Sequence, residues 1–296
     1  QTAIKKAKNT LNGSLSIGGQ EHYYLEGQVA ISIPTENNEM VVHSSTQNPT
    51  EVQHLVAHVL DVPQNAIEVV TRRMGGGFGG KETDSSQLAC ICAIFSKRTL
   101  RPVKARLSRK DDILLTGKRH DFVAKYQVGY NDEGIIQGIE IDLAARCGYS
   151  LDLSKAIVSR ALFHADNTYF IPNATFKGFL CKTNTASNTA FRGFGGPQGM
   201  LTIENIIEEI ANNMGTDPLN IRKINYYQKG SNNVTPYDQV IEDNIIEEIT
   251  NELIEDSNYL SRRRQVDLFN KKNQFLKKGL SFSPVKFGIS FTTQLL

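Results

Sequence analysis

The chain has 296 residues, 40% of them hydrophobic and 22% charged, a soluble globular composition that argues against disorder. No apolar run reaches spanning length, which argues against a membrane helix. Lys and Arg number 33 against 31 Asp and Glu, so no positive field is available to gather nucleic acid or an anionic membrane, and neither is expected as a partner.

At roughly 150 residues per domain the length predicts two domains. The opening QTAIKKAKNT lacks the apolar centre of a signal peptide and does not start with Met. EHYYLEGQVAISIP from Glu21 and EMVVHSS from Glu39 read as strands, rich in β-branched and aromatic residues between turn formers. PTEVQHLVAHVL, from Pro49 to Leu60, sets Val52, Leu55, Val56 and Val59 at helical spacing behind a Pro-Thr start. IEVVT from Ile67 is a strand that runs into a glycine loop. Thr83 to Arg98 then predicts a helix with Leu88, Cys92 and Phe95 on one face and Thr83 or Asp84 as cap. RPVKARLS, DFVAKYQVGY and GIIQGIEIDLAA follow as strands of one antiparallel sheet, with Asn131 to Gly134 as a turn. A second glycine loop, FRGFGGPQG, precedes a helix from Leu201 to Ala211; helix is expected again over Asp243 to Asn270, and a strand near Lys286. Strands and helices are segregated, so the fold class is α+β with mixed or antiparallel sheets and packed helices. Arg262 to Arg264, Lys271-Lys272 and Lys277-Lys278 follow an acidic stretch, the pattern of solvated helix faces.

Met74 to Glu82, MGGGFGGKE, is the strongest local signal. A backbone almost bare of side chains can approach a ligand closely, and the helix after it adds a positive dipole end. Gly75, Gly77 and Gly80 match a dinucleotide fingerprint, but in so glycine-rich a run the match is weak. Gly75 to Lys81 matches the first part of a phosphate-binding loop, yet Glu82 stands where a hydroxyl should bind magnesium and would repel a triphosphate. GFGG occurs twice, at Gly77 to Gly80 and Gly193 to Gly196, each time shortly ahead of a helix. One ligand held between two such loops and a coincidence of glycines are equally compatible with the motif alone. His54 and His58 share a helix face without a third ligand and read as surface or core histidines. No Gly-x-Ser-x-Gly elbow is present, so serine hydrolase chemistry is unsupported. Cys90, Cys92, Cys147 and Cys181 fit neither a zinc site nor a disulfide framework, and a reducing cytoplasm is the expected location.

Five segments together, GGQEHYYLE, RMGGGFGGKE, SRALFHADN, CKTNTASNTAFRGFGGPQG and KFGISFT, resemble in order and spacing the molybdenum-binding portion of xanthine dehydrogenases and oxidases, from Gly18 to Thr292. The resemblance implies a molybdenum–molybdopterin cofactor and oxidation of hypoxanthine to xanthine and of xanthine to urate. Gln20, Phe78, Gly79 and Arg192 would lie at the cofactor, with Gln20, Phe78 and Arg192 near the molybdenum. The pterin supplies the sulfur ligands, so the protein needs no Cys or His cluster. Phe194 and Phe291 would hold the purine ring by face and edge, Glu82 and Arg160 would form the polar pair beside it, and Thr292 would help to position it. The resemblance further implies residues 1–17 as the end of a linker, 18–270 as a first cofactor-binding subdomain and 271–296 as the start of a second. Iron–sulfur clusters, FAD and NAD would belong to other parts of the same enzyme, expected to be an oligomer. The glutamate that serves the family as base is expected beyond Leu296, so an internal fragment, inactive by itself, is expected. An aldehyde-oxidising relative or a non-catalytic scaffold are the competing readings; the Glu82 and Arg160 pair argues against the former.

Overall fold

In the computed structural model, which describes residues 2–288, a short helix α1 (Thr2–Lys6) leads into strand β1 (Asn9–Ile17). Residues 9–17, read from the sequence within a linker, are thus hydrogen-bonded sheet. The partner of β1 comes more than a hundred residues later: β1 runs antiparallel to β6 (Phe122–Tyr130), with Leu11 opposite Val128 and Leu15 opposite Ala124. Between them the chain builds a second sheet from β2 (Val29–Pro34), β3 (Met40–Ser44), β4 (Ile67–Val70) and β5 (Val103–Arg106), in the order β4-β3-β2-β5. Helices α2 (Pro49–Leu60) and α3 (Asp84–Thr99) cover it. Val52, Val56 and Leu60 meet Ala89, Cys92 and Ala93 over Ala30 and Val42 in one core. Asn48 caps α2 by accepting from the Glu51 amide at 3.1 Å. His54 and His58 both lie on the exposed side of α2.

Three sequence expectations are corrected here. The strand expected from Glu21 begins only at Val29, because Tyr23 has φ +52° and the chain from Gly18 to Gln28 wraps the glycine loop instead of extending. RPVKARLS supplies β5 to the second sheet, not to the sheet of the following hairpin. On α3, Leu88 and Cys92 are buried but Phe95 is 51% exposed, and Thr83 makes no cap bond.

After α4 (Arg109–Leu115), capped by Ser108, the first sheet is completed by β6, β7 (Ile136–Gly148) and β8 (Ala174–Lys182), in the order β1-β6-β7-β8. Alternation in β6 turns Phe122, Ala124, Tyr126 and Val128 inward, opposite Ala145, Leu143, Ile141 and Ile139 of β7. Between β7 and β8 stands α5 (Ser154–Phe163), which lets β8 pair parallel to β7. Helix α6 (Gly196–Met214) lays Ile203, Ile206, Ile207 and Ile210 on this core, spaced to share one face. Helix α7 (Pro218–Asn225) follows, and α8 (Ile246–Asp256) and α9 (Tyr259–Lys272) form the helical region near the C-terminus, broken at Asn258 with φ +49°. No strand forms over 286–288, and the rest of the strand expected near Lys286 lies outside the described residues. No helix among the described residues is long and apolar enough to cross a membrane.

Candidate functional site

The first glycine loop lies between β4 and α3. Gly76, Phe78 and Gly79 have φ of +92°, +54° and +104°, and the Gly80 amide donates to Gly77 O at 2.8 Å. Gln47 holds this loop: its Oε1 accepts from the Gly79 amide at 2.8 Å and the Lys81 amide at 3.3 Å. Lys81, the apparent phosphate-loop lysine, is fully buried; it pairs with Glu26 at 3.1 Å, donates to Ser45 Oγ at 2.7 Å and lies 4.7 Å from the Tyr24 ring centre. Burial lowers its pKa against the pull of Glu26. Its ammonium is committed to the fold.

The second loop repeats the turn at its Phe-Gly step: Phe194 and Gly195 have φ of +50° and +93°, as Phe78 and Gly79 do, and the Gly196 amide donates to Gly193 O at 3.0 Å. It differs in that Gly193 has φ +92° where its counterpart Gly77 is not left-handed. It is seated on α5 so tightly that a Cβ on Gly195 would come 2.0 Å from Ile157 O and one on Gly199 2.1 Å from Ala161 O. The two loops then touch. The Arg192 amide donates to Phe78 O at 2.9 Å, a Cβ on Gly79 would lie 2.5 Å from Ala190 O, and the Arg192 guanidinium is 5.0 Å from the centre of the Phe78 ring. A cavity of about 270 Å³ opens between them, bordered by Gln47, Phe78, Gly79, Glu82, Arg192 and Phe194.

Gln20 joins the cavity margin through a residue that sequence reasoning missed. Arg119 donates from Nε to Gln20 Oε1 at 2.5 Å and from Nη2 to Arg192 O at 2.7 Å, with its guanidinium 4.0 Å from the Phe191 ring centre. Burial pulls its pKa down to about 10. His22, also missed, donates from Nε2 to Ala190 O at 2.6 Å and lies 4.6 Å from the Phe191 ring. It stands inside GGQEH and could have been found from that motif; Arg119 lies in an aperiodic link with no such signal.

Glu82 stands on the cavity wall two residues before α3. Burial, and then the charge of Asp152, push its carboxyl pKa up. Asp152 itself has φ +43° and accepts from Thr189 Oγ1 at 2.6 Å; the Thr189 hydroxyl lies 3.2 Å from that of Thr83, the neighbour of Glu82. Asp84 accepts from the Gly117 amide at 2.9 Å, and burial pushes its pKa up to about 7. His120 and Ser154 are 2.7 Å apart, but both are buried, so the pair offers no exposed nucleophile.

Arg160, 7% exposed on α5, donates to Gly288 O and has its guanidinium 4.7 Å from the Phe287 ring centre. The structure thus gathers Gln20, Phe78, Gly79, Glu82, Arg192 and Phe194 around the loop junction, with Arg160 on the helix beneath the second loop. Phe291 and Thr292 lie outside the described residues. Among the described residues no group of three or more His, Cys, Asp or Glu could hold a metal ion.

The chain is 46% identical over 294 residues to xanthine dehydrogenase/oxidase of Rattus norvegicus and 44% identical over 291 residues to xanthine dehydrogenase of Dictyostelium discoideum, covering 99% and 98% of this chain but 22% and 21% of those proteins. It is also 44% identical over 288 residues to a nicotinate hydroxylase of Emericella nidulans, covering 97% of this chain and 21% of that protein. The chain therefore spans about a fifth of the length of the curated relatives it matches. Aldehyde oxidoreductase from Desulfovibrio gigas superposes with a TM-score of 0.80 at 24% identity, over 93% of this chain and 29% of that one. CO dehydrogenase from Oligotropha carboxidovorans gives 0.83 at 19%, over 91% and 34%; at these identities the likeness concerns the fold. The family described as the molybdopterin cofactor-binding domain matches residues 1–226, which hold β1 to α7 and both glycine loops, and it is to this family that the chain belongs.

Proposed function

We propose that this chain is the part of a xanthine dehydrogenase-type molybdenum hydroxylase that cradles the molybdenum–molybdopterin cofactor and one side of a purine pocket. The observation that carries the reading is the convergence of two GFGG loops, over a hundred residues apart and sharing one Phe-Gly turn, on one cleft bordered by Glu82 and Phe194. The residues present fit the cofactor. Buried Arg119 Nη1, His22 Nδ1 and Gln198 Oε1, near the loops, have no protein hydrogen-bond partner among the described residues and are available to its polar groups. Gln20 and the main chain of Phe78, Gly79 and Arg192 would lie against it, with Gln20, Phe78 and Arg192 nearest the molybdenum. When bound, the cofactor supplies the redox centre at which hypoxanthine is oxidised to xanthine and xanthine to urate.

The chain's own residues bind and orient. Phe194, with Phe291, holds the flat ring by face and edge contacts; Thr292 fixes its rotation. Glu82, whose surroundings favour the protonated carboxyl, shares a proton with a ring nitrogen. Arg160 stabilises negative charge that develops on the purine oxygen. Iron–sulfur clusters, FAD and NAD are assigned to other parts of a longer protein, an oligomer of the cytoplasm, that carries the electrons away.

The test is metal analysis of the 296-residue chain beside its full-length parent, coupled to xanthine-dependent dye reduction. Molybdenum and turnover in the parent are expected; a parent with neither defeats the proposal. One observation favours a second reading: the nicotinate hydroxylase relative is as similar as the slime-mould xanthine dehydrogenase, and Arg160 would suit a pyridine carboxylate equally well. Parallel assays with nicotinate and xanthine separate the two.

A further inference from the structure

Residues 284–288 form a strap across the end of α5. Asn167 fixes it at two points, donating from Nδ2 to Pro284 O at 2.9 Å and accepting the Lys286 amide on Oδ1 at 2.9 Å. Lys286 is ion-paired with buried Asp166 and donates to Tyr237 OH at 3.1 Å. This anchoring delivers the Phe287 ring to three neighbours at once. Its centre lies 4.7 Å from the Arg160 guanidinium and 5.2 Å from the His164 ring, and its edge would be 3.0 Å from a Cβ on Gly196 of the second loop.

His164 closes the arrangement from the other side. Its Nδ1 donates to Arg160 O at 2.9 Å, and its Nε2 accepts from the Gly288 amide at 3.3 Å. Those bonds require the neutral ring with its proton on Nδ1. A second proton would set donor against donor and place a charge beside Arg160 and Lys286, the cations that face His164, with Asp166 already committed to Lys286.

We propose that Phe287, seated by His164 and the strap, is a positioning residue for Arg160, holding the guanidinium in the orientation that meets the oxygen of an oxypurine. The inference rests on the proposed role of Arg160. An arginine side chain carries several rotatable bonds, and a guanidinium ordered before substrate arrives contributes more to charge stabilisation than one ordered afterwards. The aromatic face supplies that order without neutralising the charge, as a carboxylate would.

The test uses the full-length holoenzyme with F287L, F287Y and R160M, assayed on xanthine and on unsubstituted purine, which lacks the oxygen that Arg160 would meet. F287L should lower kcat/KM for xanthine about tenfold, chiefly through kcat, change that for purine by less than about twofold, and be rescued by F287Y. Calorimetric binding of urate should weaken in F287L by about the same tenfold factor. If F287L does not accumulate, H164Q, which removes the supporting ring, should show the same substrate split. Equal loss on both substrates, or F287L unchanged on xanthine while R160M falls about a hundredfold, overturns the positioning role alone. R160M unchanged on xanthine overturns both that role and the proposed function of Arg160.

Discussion

Gly195 is required twice over: its φ of +93° disfavours any side chain, and an added Cβ would lie 2.0 Å from the Ile157 carbonyl. Gly195→Ala should destabilise the chain by about 3 kcal/mol or more, seen as a lower urea midpoint with an unchanged slope. Asp84 yields a pH prediction. Its folded pKa, about 7, stands above the ordinary aspartate value of 3.8, so the native state binds the additional proton. Stability is then lost as pH rises from about 4 through about 7. Asp84→Asn should remove a penalty on the order of 2–4 kcal/mol at pH 8, so the drop in Tm between pH 5 and pH 8 should shrink; an unchanged drop would exclude Asp84 as its source. The glycine loops could be found in the sequence as motifs because their composition is local. Their partners could not, since Arg119, Asp152 and Gln47 reach them from distant segments that carry no pattern of their own.

Between residue and molecule, elements were legible in proportion to how cleanly burial imposes a period. β6, β7, α2 and α6 alternate or repeat because each has one face on a core. β8 is an edge strand exposed over its last six residues, so its pattern carries little alternation. β1 does alternate, but its central inward position is Gly13, where a Cβ would strike the Tyr126 hydroxyl at 2.4 Å, and that gap hides the strand. Lys81 shows the opposite hazard, a motif that is legible and misleading. As a tie between the loop and the Tyr24 to Glu26 segment, its loss should cost more than a surface charge would. Lys81→Met should destabilise by about 1–3 kcal/mol, since half-exposed Glu26 discounts the ion pair. Calorimetric titration of the wild-type chain with ATP should show no binding; heat of binding lost in Lys81→Met would restore the phosphate-loop reading.

At the scale of the molecule, large apolar side chains stand exposed: Leu25 is 91% exposed, Leu114 63%, Leu115 65% and Phe78, on the cleft, 42%. The 296-residue chain is therefore expected to self-associate as its concentration rises, and light scattering that reports a monomer throughout would refute this. The path of the chain has another consequence. Val29 and Arg106 are register partners, so the excursion that builds the second sheet leaves and returns at one place, like a domain inserted into a host. The host sheet cannot close until β6 has been synthesised. The first glycine loop belongs to the insert and the second to the host, so the cleft is a seam between two units with separate cores. Any ligand that bridges the seam is bound only by the docked pair, and mass action then makes the ligand part of the bond between insert and host.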